Sequence, residues 1–338
     1  MRILILADRR TGHVRQSEGL ARVIAEAGPV EVETLPIVHA RWANDLIRRL
    51  LASCASSRAE MLLKRCYGID LAAVPDFDLV IGSGRPTILA GLLLSNARNK
   101  GFIYSGRVEG YDARRFARVL VPYKSDGRLA NHIVTMIPSP IDAASYSPPR
   151  RISVESGLSG AHLALLVGGP SSRRGWSMLD WGKLAAFLLE SEHKFGIRWS
   201  VATSERTPEP ARGLLAATFS ALEAGVRFVD FKEAGRGSAD ALYGADAVVV
   251  TSDSTSMIAE GLAAGRPVVG LSTARLKASR DDALLGDLGR QGTFIDLPLA
   301  TITPEAFAAA LIRLTPPSEN SREELRMALA PVLASLTR

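Results

Sequence analysis

The sequence predicts an α/β protein built of two doubly wound domains, and three observations carry that prediction. Short apolar runs alternate with helical patterns along the whole chain of 338 residues. The runs end in loops rich in glycine, hydroxyls and arginine, where ligands of open parallel sheets bind. A proline-bearing segment without apolar periodicity, residues 139–151, splits the alternation into two halves of ordinary domain size. We therefore expect an N-terminal Rossmann-like domain over 1–145 and a second over 151–318. Residues 319–338 are expected to form a C-terminal helix able to return to the first domain.

Residues 2–7 read as a first buried parallel strand, followed by the loop Asp8–His13 (DRRTGH) and a helical pattern over 14–27. A strand, a glycine-containing turn and a helix start make a substrate-facing or anion-binding site. A second strand spans 30–35. Residues 36–68 read as two helices, with Leu46, Ile47, Leu50, Leu51, Leu62 and Leu63 as a common apolar face. Around them stand Arg41, Trp42, Arg48, Arg49, Arg58, Lys64 and Arg65. That mixture suits a helix lying on an anionic membrane as well as a solvated helix packed on its own core. Residues 77–81 form a strand running into Gly82-Ser83-Gly84-Arg85, with Pro86 at the helix start. Strands at 101–104, 119–121 and 133–137 complete the first half.

The second half repeats the alternation. A strand at 163–167 ends in the loop Gly168–Gly175 (GGPSSRRG), and a helix covers 181–193. A strand at 199–203 runs into Ser204, Glu205, Arg206, Thr207 and Pro208. A helix at 209–219, a strand at 226–229 and a short helix near 239–243 follow. Residues 247–250 form the next strand, which ends in Thr251, Ser252, Asp253, Ser254, Thr255 and Ser256. Met257, Ile258, Gly261, Leu262 and Ala264 then fall at helical spacing before Gly265, and 267–271 is another strand. A strand at 293–295 and helical patterns at 304–314 and 321–336 close the chain. The acidic pair Asp281-Asp282 reads as a helix start or a surface feature. The cluster at 251–256 is richer in hydroxyls than one N-cap requires, so it reads as a phosphate or sugar site, with plain capping as the alternative. Glycines allow close backbone approach, and Arg173, Arg174 and Arg206 suit bidentate phosphate contacts. For each arginine taken singly a surface ion pair explains it equally.

Composition narrows the classes. No apolar run approaches the ~20 residues of a membrane span, and residues 2–7 are too short for a signal peptide; a cytoplasmic location is expected. Cys54 and Cys66 lack metal or redox spacing and are expected as free thiols, buried or partly exposed. The net charge of +6 fits anionic small molecules or an anionic membrane surface. A nucleic-acid partner is not expected, because no basic run with interleaved aromatics is present. GxGxxG, GxxxxGK[ST], HExxH and GxSxG are all missing, which argues against a dinucleotide dehydrogenase, a P-loop NTPase, a zinc protease of that type and an α/β hydrolase. No cofactor or metal is called for.

DRRTGHVRQSEGLA near the start, GSGRPT at 82–87, VGGPS at 167–171, TSERTP at 203–208 and TSDSTSMIAEGLAAGRPV at 251–268 together resemble the family named after the plant mitochondrial fission factor ELM1. At greater distance the same pieces resemble GT-B glycosyltransferases, above all the enzyme that adds N-acetylglucosamine to the peptidoglycan lipid intermediate. Thr11-Gly12-His13 with Gly19-Leu20-Ala21 is similar to that enzyme's first loop, Gly168-Gly169-Pro170-Ser171 to its second-domain turn, and Ser256–Pro267 to its donor helix. Arg9-Arg10 stands where that enzyme has glycines, and Ala259 precedes Glu260 where it has serine.

The resemblance implies a GT-B-like α/β fold, two Rossmann-like doubly wound domains facing across a cleft, and a nucleotide-diphosphate sugar as donor. Donor contacts are expected from Gly168, Gly169, Ser171, Arg173, Thr203, Ser204, Arg206, Thr251, Asp253, Ser254, Ser256 and Met257, with Glu260 at the ribose. Arg10, Gly12, Gln16, Ser83, Gly84, Arg85 and Thr87 would face the acceptor. His13, or else Asp8, would take the acceptor proton; imidazole titrates near neutrality, and the alternative for His13 is a capping or packing residue. The expected function is a metal-independent transfer to a glycan or lipid-linked acceptor of the cell envelope, with peripheral contact to an anionic membrane. A nucleotide-sugar 2-epimerase and a non-catalytic, membrane-associated ELM1-like adaptor are the alternatives.

Overall fold

The computed structural model describes residues 1–338 apart from 53–57, 128, 173, 221–226, 279, 319 and 337–338. The chain divides into two compact units, Met1–Pro140 with Ser321–Arg338, and Ile141–Asn320. The first unit holds strands β1 (Arg2–Ala7), β2 (Glu31–Pro36), β3 (Leu79–Ser83), β4 (Gly101–Ser105), β5 (Arg118–Val121) and β6 (His132–Val134). They pair in the order β2-β1-β3-β4-β5-β6, all parallel. Helices α1 (Thr11–Ala25), α2 (Asp45–Ala52), α3 (Ala59–Tyr67) and α4 (Arg85–Arg98) connect them.

The second unit contains β7 (His162–Leu166), β8 (Arg198–Ala202), β9 (Arg227–Val229), β10 (Ala247–Thr251), β11 (Val268–Ser272) and β12 (Phe294–Pro298). Their order is β12-β11-β10-β7-β8-β9, again parallel throughout. Helices α5 (Met178–Phe195), α6 (Glu209–Ser220), α7 (Phe231–Ala234), α8 (Thr255–Ala263), α9 (Asp281–Arg290) and α10 (Pro304–Arg313) accompany them. The last helix, α11 (Ser321–Leu336), belongs to the first unit and packs on α1.

The continuous apolar strands follow from burial on both faces. In β1, Leu4 and Leu6 join the core under α3 and α4, while Ile3 and Ile5 join the core under α1 and α11, with Leu20, Leu325 and Leu329. In the second unit Leu163, Leu165, Trp199, Val249 and Val269 share one core with Trp181, Leu184 and Phe307. Each sheet reverses direction once, between β1 and β3 in the first and between β7 and β10 in the second. A crevice opens outside the carboxyl ends of the strands at such a switch point, because successive helices leave to opposite faces there.

Several boundaries move from the sequence expectation. Helix α1 starts at Thr11, because the Arg10 carbonyl accepts from the N–H of His13 at 3.0 Å and of Val14 at 3.3 Å. His13 thus sits in the first helical turn. Helix α5 begins at Met178, ahead of Trp181, because Ser177 and Asp180 form a reciprocal capping box. The third strand runs on through Ser83, and β6 ends at Val134. The expected apolar face of residues 36–68 is divided. Leu62 and Leu63 are buried, but Leu46 and Leu50 are 66% and 64% exposed, and the residues that α2 buries are Arg48, at 4%, and Ala52. Cys66 is a buried free thiol whose ionisation burial opposes; Cys54 lies outside the described residues. Among the described residues no helix is long and apolar enough to cross a membrane.

Candidate functional site

In the first unit the expected residues gather at the switch point between β1 and β3. Asp8 follows β1, and its Oδ1 accepts the Arg10 N–H at 2.9 Å while its Oδ2 lies 2.6 Å from His13 Nδ1. The Asp8 side chain is 4% exposed and that of His13 24% exposed. A carboxylate facing an imidazole nitrogen accepts, so Nδ1 is the donor of this pair and Nε2 is the ring nitrogen that Asp8 does not engage. Gly84 closes this pair from the β3 side. Its φ is +84°, and a Cβ there would stand 2.2 Å from His13 Nδ1 and 2.6 Å from Asp8 Oδ2. Only glycine fits both the left-handed backbone and the space.

The neighbouring groups serve the frame. Gln16 Oε1 accepts from Ser83 Oγ at 2.8 Å and from Ser105 Oγ at 3.4 Å, tying α1 to the ends of β3 and β4. Thr87 is fully buried, and its hydroxyl donates back to Gly84 O at 2.9 Å, so it secures the start of α4 instead of facing an acceptor. Tyr104 is buried beside Gly84, and burial pushes its phenol well above the ordinary tyrosine range, so it stays neutral. Arg10 is exposed, Gly12 lies in the first turn of α1, and Arg85 pairs with Asp45 at 3.2 Å and Glu109 at 3.5 Å.

The second unit's residues meet at its own switch point. The Gly168 N–H donates to Thr251 Oγ1 at 2.7 Å and the Gly169 N–H to Asp253 Oδ2 at 3.1 Å. The same Asp253 oxygen lies 2.7 Å from Arg206 Nη2, and Arg206 Nη1 donates to Gly169 O at 3.0 Å. The amides of the two glycines expected as donor contacts are therefore taken by side chains of the 251–256 cluster. The glycines are required by close packing of the two loops: a Cβ on Gly168 would stand 2.2 Å from Asp253 Oδ2, and one on Gly169 2.2 Å from Arg206 O. Asp253 supplies internally the negative charge that this concentration of amides and guanidinium favours.

The other expected donor residues sort into framework and open positions. Thr203 Oγ1 accepts the Phe231 N–H at 2.9 Å and contacts Asp230, fixing the turn into α7. Ser204 Oγ donates to Gly168 O at 3.2 Å, and Ser171 shapes its own turn by accepting from the Arg174 N–H. Ser254 precedes α8 without capping it; its hydroxyl lies 3.2 Å from that of Ser256. Ser256 and Met257 in the first turn of α8 are partly exposed. Glu260 is buried one turn further on, where the Tyr243 hydroxyl donates to Oε2. Arg173 lies outside the described residues.

Sequence reasoning assigned no role to two residues that the structure ties to this site, Asp296 and Thr207. Asp296, an acid inside the apolar strand β12, accepts from Ser252 Oγ and lies 3.7 Å from Arg174. Arg174 also donates to Thr273 O at 2.8 Å. Thr207 Oγ1 donates to Gly168 O at 2.7 Å and accepts the Ser204 N–H at 2.9 Å. A carboxylate among the apolar residues of the edge strand β12 was the one legible signal. Arg174 and Arg206, expected as counter-charges for a diphosphate, are thus both already paired with carboxylates.

Comparison with known proteins agrees with this architecture. S. aureus MnaA in complex with UDP is 10% identical, with 99% of this chain and 97% of that one covered at a TM-score of 0.55. Methanocaldococcus jannaschii UDP-GlcNAc 2-epimerase in complex with UDP-GlcNAc and UDP is 11% identical, over 99% and 100% of the two chains, at 0.53. Acinetobacter baumannii MurG is 16% identical, over 100% and 98%, at 0.50. At such identities the likeness is one of fold, and the fold is GT-B. No curated protein matches the chain. A sequence model of the mitochondrial fission ELM1 family matches residues 11–314, nearly the whole length, and the chain belongs to that family.

Proposed function

We propose that the protein is a metal-independent glycosyltransferase that moves a sugar from a nucleotide-diphosphate sugar to a glycan or lipid-linked acceptor of the cell envelope, working at the cytoplasmic face of an anionic membrane. The observation that carries this reading is the Asp8–His13 pair beneath Gly84, which engages Nδ1 of the imidazole; Nε2 is the nitrogen assigned to the acceptor proton in this reading. In the proposed step the acceptor oxygen bonds to the anomeric carbon as its proton passes to Nε2. The bond from that carbon to the diphosphate oxygen breaks, and its electron pair leaves with the nucleoside diphosphate. Asp8 orients the imidazole and stabilises the imidazolium.

Arg10, Gly12 and Arg85 serve the acceptor side in this reading, with Gln16, Ser83 and Thr87 as their frame. Ser254, Ser256, Met257 and the start of α8 receive the diphosphate, with Ser171, Thr203, Ser204 and the interlocked loops at Gly168, Gly169 and Thr251 beneath. Arg206 is shared between the departing diphosphate and Asp253, and Glu260 turns toward the ribose. The family supports a second reading, a non-catalytic adaptor on membranes, and the likeness to 2-epimerases a third, interconversion of the free nucleotide sugar.

Radiolabelled nucleotide sugars incubated with the purified protein and membrane extract separate the three. Label moved to lipid or glycan, and lost by roughly a hundredfold or more in His13→Ala, is the expected outcome. Interconverted free nucleotide sugar would establish the epimerase. No calorimetric binding of any nucleotide sugar, together with an unchanged cellular phenotype of His13→Ala, would overturn the transferase.

A further inference from the structure

Glu260 lies in the second turn of α8 and is only 8% exposed. A carboxylate buried to that degree is tolerated only where polar groups meet it. One of them is the Tyr243 hydroxyl, which donates to Oε2. Tyr243 stands in the short 3₁₀ turn Asp240–Gly244 ahead of β10 and is 1% exposed, so its ring is held by packing on all sides. A carboxylate recognises a pair of hydroxyls through the orientation of its two oxygens, and a donor fixed against one of them sets that orientation.

The tyrosine is in turn fastened by a buried cation. Arg266 Nε donates to the Tyr243 carbonyl at 2.8 Å, and its Nη2 donates to the Ser147 carbonyl at 2.6 Å. The guanidinium also lies over the Tyr146 ring, 5.9 Å from its centre, and the Tyr146 hydroxyl donates to the Asp240 carbonyl at 2.8 Å. Residues 146–147 and Arg266 thus hold the 240–244 turn at both ends. A short turn forms without a buried arginine; what this one gains is a fixed backbone, and the fixed backbone aims the phenol.

On the reading of Glu260 as the ribose contact, we propose that Tyr243 is a positioning residue, which holds Glu260 in the orientation that binds the ribose hydroxyls and is itself held by Arg266. Calorimetry on the full chain with UDP, GDP, ADP and CDP identifies the nucleotide that binds, and its 2′,3′-dideoxy analogue is titrated beside it. The wild type is expected to prefer the ribonucleotide roughly ten- to a hundredfold. Tyr243→Phe keeps the ring and should cut that preference about tenfold, with little change in affinity for the dideoxy analogue. A merely loosened fold would weaken both nucleotides alike. In Glu260→Gln the same Tyr243→Phe change should leave the preference where it is, since the tyrosine acts through the glutamate. Arg266→Lys keeps the charge but gives up the two-point grip, and should lower the preference by roughly severalfold; it carries the test if Tyr243→Phe does not fold. An equal preference in Tyr243→Phe and the wild type would overturn the proposal, as would equal weakening of both nucleotides. Binding of none of the four nucleotides by the wild type would instead overturn the nucleotide-sugar reading, and the proposal with it.

Discussion

Replacing Asp253 by alanine tests whether the carboxylate is a keystone of the second unit's loops. Its Oδ2 accepts the buried Gly169 N–H at 3.1 Å and the Arg206 guanidinium at 2.7 Å, and its side chain is fully enclosed. The variant leaves the Gly169 N–H without an acceptor, at a cost of about 1–3 kcal/mol. It also removes one charge-assisted pairing, which we discount because the Arg206 side chain is 39% exposed and can turn to water. The sum is a loss of roughly 2–4 kcal/mol. Trp176, Trp181 and Trp199 all lie in this unit and Trp42 in the other, so tryptophan fluorescence reports chiefly on the transition of interest. With a slope of about 2 kcal/mol per molar urea, the midpoint should fall by roughly 1–2 M. Asp253→Asn keeps one acceptor and should lose about half as much. A midpoint for Asp253→Ala within about 0.2 M of the wild type would refute the reasoning.

Three further outcomes follow from the same geometry. Gly84→Ala sets a methyl group against the Asp8–His13 pair and forces alanine into φ +84°; we expect a loss of roughly 1–2 kcal/mol. The low-field imidazole N–H resonance of His13 should disappear with it, and its persistence would contradict the close approach. His162, whose Nε2 lies 2.8 Å from Ser200 Oγ, has its basicity depressed by burial and then by Arg198, so the unfolded chain binds its proton more readily. Stability is full above about pH 6.5 and declines as pH falls below it, and His162→Gln should flatten that decline in melting temperatures measured from neutral to mildly acid pH. Arg266, 1% exposed, donates to Tyr243 O at 2.8 Å and Ser147 O at 2.6 Å; Arg266→Met orphans both carbonyls and should lower urea stability by roughly 2–4 kcal/mol.

Much of the fold was readable before any coordinates. Twofold alternation of apolar runs and helical patterns encodes parallel strands buried on both faces, because a strand such as β1 must be apolar at successive positions, Ile3 to Leu6, to satisfy two cores. Helix starts were less legible. The first turn of α1 lacks an apolar side chain or a side-chain cap to announce it, since its start is set by hydrogen bonds to the Arg10 carbonyl. The leucines of residues 36–68 were read as one apolar face that the structure divides, because helical periodicity tells which residues share a face and not which way that face points.

For the candidate site, residue types and strand ends identified the loops, and the family resemblance singled out His13 with Asp8. The meaning of the glycines and arginines was decided by the tertiary structure. Gly84 is fixed by a pair of side chains from another strand end. Gly168 and Gly169 are fixed by Asp253 and Arg206, which lie far away in sequence. A sequence of this kind determines which backbone groups and charges arrive at the switch points, since each is tied to a strand end. Which of them satisfy one another depends on distances of about 3 Å between separate loops, and only the packing of the sheet sets those.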